Sequence, residues 1–144
     1  MNKMDYISKI FEMYHGNILL QPPYQGEDFK DIPEEIASIL CVSNGIYETM
    51  TDPQTGETVP IGWIIYPYEM IRSDTAFYKS EYGLDGIAFS DDGAGNPFIL
   101  KPDGAVVCFN AVDNEEERVS DSLLEFYTFN GGPIVNRRPK GETI

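Results

Sequence analysis

The sequence predicts an α+β fold, with a central antiparallel sheet and helices at both ends. Three observations lead there. Apolar residues recur at helical spacing near the N-terminus, in the thirties and again near residue 123. Between residues 86 and 109 the pattern changes to short apolar runs separated by turn residues. The runs follow one another without intervening helices, so they read as antiparallel neighbours rather than βαβ units.

From the N-terminus, Met4, Ile7, Ile10, Phe11 and Tyr14 form the apolar stripe of a first helix, which Gly16 stops. Gln21-Pro22-Pro23-Tyr24-Gln25-Gly26 excludes a regular helix and predicts a loop. Asp31 is placed to cap a second helix beginning near Pro33; Glu34 and Glu35 complement its dipole, and Ile36, Ile39 and Leu40 form its buried stripe. Asn44-Gly45 closes it. A polar turn over residues 51–57 precedes an isoleucine- and aromatic-rich strand from Pro60 to Tyr66, which Pro67 ends. A helix from Tyr68 to about Tyr82 stops at Gly83.

Three short strands are expected next, at Gly86–Ser90, Pro97–Lys101 and Ala105–Phe109, the last apolar throughout and so central. Lys101-Pro102-Asp103-Gly104 is a hairpin turn. Asp113 to Glu117 reads as an acidic loop, after which Ser120 or Asp121 caps a final helix carrying Leu123, Leu124, Phe126 and Tyr127, ended by Gly131-Gly132-Pro133. At 144 residues the chain is the size of one domain, 1–132, followed by a polar, basic tail over 133–144.

The composition narrows function. No segment approaches the roughly 18 apolar residues of a membrane span. Lys9 and Glu12 interrupt the first apolar stretch, so no signal-peptide core is expected and the default location is the cytoplasm. Cys41 and Cys108 read as two buried, reduced thiols, and the single histidine, His15, cannot build a His-rich metal site or a typical His-dependent triad. No Gly-rich phosphate loop is present, and no carboxylates can be paired as catalysts, so neither an enzyme nor a cofactor is expected. A net charge of −14 repels nucleic acid and anionic lipid and speeds encounter with basic partners; its simplest role is solubility.

Three segments stand in a telling order: Ile32-Pro33-Glu34-Glu35-Ile36 through Asn44-Gly45, then Gly62-Trp63-Ile64-Ile65-Tyr66-Pro67 running on to Ile71, then Ile87 to Leu100 with Asp91, Asp92, Gly93, Gly95 and Asn96. Together with the closing Ser122-Leu123-Leu124-Glu125-Phe126, they resemble the SUKH superfamily from about Ile32 to Tyr127. Each motif is degenerate; their order and spacing are more specific. The sequence departs from the commonest pattern at Lys101, where many relatives place an acidic or polar residue. The resemblance implies an α+β domain without catalytic machinery. Bacterial members are mostly immunity proteins that bind and neutralise a toxin domain, often a nuclease. Relatives of the yeast glucan-synthesis regulator instead imply an endogenous regulatory or scaffold domain.

The expected partner is therefore a protein, a basic toxin domain under the immunity reading. Asp91 and Asp92 head the sharpest polar cluster, which serves as a partner contact, a hard-cation loop or a solvated connection; it lacks EF-hand spacing, and no metal is assigned. Glu115, Glu116 and Glu117 form the most concentrated acidic patch. Tyr68, with Trp63 and Tyr66, is the aromatic candidate for a recognition surface, although Trp63 is better placed in the core.

Overall fold

The computed structural model describes residues 3–26, 29 and 31–130, with side chains for 6–26, 29 and 31–128. The expected glycine-proline stop at 131–133 and the tail over 133–144 lie outside the described residues. The elements run α1 (Lys3–Met13), β1 (Ile18–Leu20), α2 (Glu34–Leu40), β2 (Ile46–Thr51), β3 (Thr58–Ile65), α3 (Tyr68–Tyr82), β4 (Ile87–Asp91), β5 (Pro97–Leu100), β6 (Val106–Asn110), β7 (Glu115–Ser120) and α4 (Leu123–Glu125), which continues as a π-helix over Phe126–Asn130. The α+β expectation holds.

The strands form two antiparallel sheets, β1-β2-β3 and β4-β5-β6-β7. They meet at a seam where the Tyr66 amide donates to the Phe89 carbonyl at 2.8 Å and the Ser90 hydroxyl donates to the Trp63 carbonyl at 3.1 Å. The seam explains why strict alternation fails at the end of β3. Ile64, Ile65 and Tyr66 are all buried because both sides of the chain are covered there.

Both faces of the four-stranded sheet are covered. One side joins the main core with Tyr6 and Ile10 of α1, Tyr14 just past it, Ile36, Ile39 and Leu40 of α2, and Phe126 and Tyr127. On the other side Ala88, Ile99, Val107 and Phe109 form a smaller cluster that Tyr78 of α3 and Leu84 cover. This double cover is why β5 is buried along its whole length and why β6 is apolar.

Several local expectations need correction, among them the end of α2, which falls at Leu40 with Cys41 as its C-cap and not at Asn44-Gly45. Of the expected stripe, Ile7, Ile10 and Tyr14 pack into the core, and Tyr6 joins them, while Phe11 is 57% exposed; its ring instead lies over Gly16, whose φ of 78° is left-handed. Asp31 does not cap α2, since it adopts a left-handed φ of 62° and Pro33 occupies the N-cap. The last helix is capped by Ser122, whose hydroxyl accepts from the Glu125 amide at 3.0 Å, a Ser-x-x-Glu box in the sequence. Cys41 is exposed and Cys108 half-buried, because Cys41 falls at the end of α2, off its apolar stripe.

Candidate functional site

The three motif segments converge on the junction between β3 and α3. Asn44 lies 24 residues before Tyr68, yet its Oδ1 accepts from the Tyr68 amide at 2.8 Å and so satisfies the first turn of α3, whose N-cap, Pro67, supplies no side-chain acceptor. Gly45, with φ at 95°, brings the chain against Trp63: an added Cβ would lie 2.9 Å from the Trp63 ring and 3.0 Å from the Pro67 nitrogen. Trp63 is half-buried and stacks on Tyr47 across the β2–β3 ladder at 3.8 Å. Replacing Asn44 by alanine is expected to cost about 1 kcal/mol, the usual worth of an N-cap, read as a lower urea midpoint with an unchanged slope.

From the same junction Tyr66 reaches the third motif. Its hydroxyl donates to Asp91 Oδ2 at 2.7 Å, while Asp91 Oδ1 accepts from the Gly93 amide at 2.7 Å. Burial, reinforced by that bond and by the charge of Asp91, holds the Tyr66 phenol far above its ordinary range, so it stays a donor. Asp92 shapes the turn itself: Oδ1 accepts from the Ala94 and Asn96 amides at 2.8 and 3.1 Å, and Oδ2 from Asn96 Nδ2 at 2.9 Å. Its carboxylate is thereby fixed in direction by its own loop.

Asp74 of α3, which carries no local sequence signal, faces the same region. Burial, then the negative charge of Asp91, pushes its carboxyl above the ordinary carboxylate range. The folded chain therefore binds this proton more tightly than the unfolded chain. The resulting stabilisation is full below the unfolded pKa and is lost as pH rises through the raised folded one, leaving ionised Asp74 opposed to folding at neutrality. Asp74→Asn is expected to raise the urea midpoint at pH 7, with the gain closing as pH falls below about 4. An equal gain at both pH values would assign the effect to something other than charge.

The sequence-predicted residues separate into three places. Asp91 and Asp92 stand at one end of the four-stranded sheet. The register brings the β6–β7 turn, with Asp113, and Glu115 to that same end, because β4 finishes where β5 begins and β6 finishes where β7 begins. Glu115, Glu116 and Glu117 belong to a strand and not to a loop: they pair with Asn110, Phe109 and Cys108. Glu116 is held at 2.7 Å by Lys101, the residue that follows β5.

Tyr68 is 4% exposed. Its ring packs against Tyr24 at 4.7 Å and Phe29 at 5.4 Å, with the Arg72 guanidinium 5.8 Å from its centroid. It supports the α3 terminus from within and presents no free face.

Among the described residues the ion pairs are Lys79 with Asp85, Lys101 with Glu116 and Arg118 with Asp121. None of these pairs engages Asp92, Asp113, Glu115 or Glu117. No group of three or more His, Cys, Asp or Glu side chains suited to a metal occurs among the described residues, and no described helix is long and apolar enough to cross a membrane.

Comparison with curated proteins and with solved structures found no match. A family model does match, over residues 28–136, more than half of the chain and a span that holds all three converging segments. The chain belongs to the SMI1 / KNR4 family (SUKH-1).

Proposed function

We propose that this domain is a non-catalytic protein-binding module that works as an immunity protein, holding a basic toxin domain by the face that the toxin uses for its substrate. The observation that carries the reading is the acidic end of the four-stranded sheet, where Asp92 after β4 and Asp113 and Glu115 at the β6–β7 turn stand along the same end with no ion-pair partner among the described residues. A nuclease must present positive charge to its substrate, and a preset negative surface competes for that charge. Asp92 suits the task because its own turn fixes its direction, so little ordering remains to be done on binding. The net charge of −14 adds long-range attraction for the same partner.

Affinity capture from the native cells at low and moderate salt, with a nuclease assay of the eluate, tests the reading. A basic toxin domain whose activity this chain suppresses is the expected result. A housekeeping partner would replace it with an endogenous regulatory role. With the partner in hand, the double variant Glu115→Lys, Glu117→Lys is expected to slow association about tenfold at low salt, and less at high salt, while the unfolding midpoint stays unchanged. An unaltered association rate would remove this end of the sheet from the interface.

A further inference from the structure

The four-stranded sheet has two edges, and they differ. β4 is closed on its outer side by the Tyr66–Phe89 hydrogen bond and by α3. β7 pairs with β6 on one side, and no backbone hydrogen bond of the described residues engages its other side. It is six residues long, about 20 Å of strand. β1, the corresponding edge of the other sheet, has three residues. Exposed edges of this length are templates for a further strand.

The side chains of β7 state what kind of strand fits. Cross-strand pairs point to the same face, so Glu115 and Glu117 share one face with Asn110 and Cys108, while Glu116 and Arg118 share the other with Phe109 and Val107. Glu116 is neutralised by Lys101, and Arg118 by Asp121. That leaves Glu115 and Glu117 without an ion-pair partner among the described residues, two residues apart on one face at roughly 7 Å spacing. Three consecutive glutamates also make in-register pairing with a second β7 unfavourable, since like charges would stand opposite one another. The charge that discourages a second copy selects a basic strand.

We propose that the outer edge of β7, which no backbone hydrogen bond of the described residues engages, takes an extended basic segment of the partner protein as a fifth strand, with Lys or Arg at alternate positions facing Glu115 and Glu117. This rests on the basic-partner reading above and adds its binding mode.

The test uses the full chain and four synthetic peptides: one alternating Lys with Thr and Val, one of identical composition with its lysines contiguous, and two copies of the alternating peptide N-methylated at every second amide, one in each phase. The alternating peptide should bind more tightly than the contiguous one. Glu117→Lys should weaken it about tenfold. One methylation phase should weaken it roughly fivefold for each blocked hydrogen bond while the other phase does not. Amide exchange should show alternate β7 N–H groups open in the free chain and protected on binding.

Equal affinity for the alternating and contiguous peptides, or indifference to both methylation phases, would overturn strand addition while leaving a basic partner in place. Failure of every basic peptide to bind at low salt would count against the basic-partner reading as well. Protection of alternate β7 amides already present in the free chain, or a concentration-dependent dimer that the peptide dissolves, would assign the edge to the chain's own C-terminal residues or to a second copy, and would overturn the proposal.

Discussion

Replacing Gly86 by alanine is expected to destabilise the domain by about 2–6 kcal/mol, a large share of the roughly 5–15 kcal/mol that holds a domain of this kind together. Gly86 has a φ of 124°, a conformation that an L-residue with a Cβ rarely adopts, and strain of this sort costs about 1–3 kcal/mol. The added Cβ would lie 2.6 Å from the Leu100 carbonyl oxygen and 2.7 Å from Ile99 Cγ2. Neither neighbour yields easily. Leu100 is held between Ile87 and Val106 in the ladder, and Ile99 is 2% exposed beneath α3, so overpacking adds another 1–3 kcal/mol or so. Urea unfolding checks the figure. A cost below about 1 kcal/mol would mean that the start of β4 relaxes freely.

Phe89→Ala should cost about 3–5 kcal/mol, by a different route. Its side chain is fully buried, edge-on to Phe126 at 5.5 Å and close to Tyr127 at 6.2 Å, and its carbonyl accepts the Tyr66 amide at the seam between the sheets. Truncation leaves a cavity bounded by rings that are themselves anchored. Tyr127 cannot swing in without giving up its hydroxyl bond to the Ile64 carbonyl at 2.8 Å. The midpoint should fall without a change of slope, since the denatured state is unaltered. A change of slope would indicate that the two sheets had begun to unfold separately.

What the sequence disclosed was local. The helix from Tyr68 to Tyr82 with its Gly83 stop and the Lys101–Gly104 hairpin are each fixed by residues within a few positions and found as expected, and the polar turn expected over 51–57 is found from Asp52, Thr51 still pairing in β2. β7 was hidden because three successive glutamates have little intrinsic strand preference; pairing with β6 supplies the strand, and the carboxylates are tolerated at a solvated edge. The site was half legible for the same reason. The acidic turn could be seen in Asp91 and Asp92, but the bond that draws Asp91 inward comes from Tyr66, 25 residues earlier. Tyr68 reads as a surface aromatic until Tyr24, Phe29 and Arg72 are folded around it. Asp74 had no neighbour in sequence to announce it.

The order of strands in the four-stranded sheet also divides labour in the molecule. The contacts that define the fold meet β4 at the seam, whereas the open edge is three strand spacings away at β7, about 14 Å across the sheet. Effects separated by more than roughly 7–10 Å, with no shared neighbours, usually add independently. Variation along Glu115 to Glu117 is therefore uncoupled from the architecture that holds Trp63, Tyr66 and Asp91 together, and, if the proposed edge is the binding face, recognition can drift there without relearning how to fold.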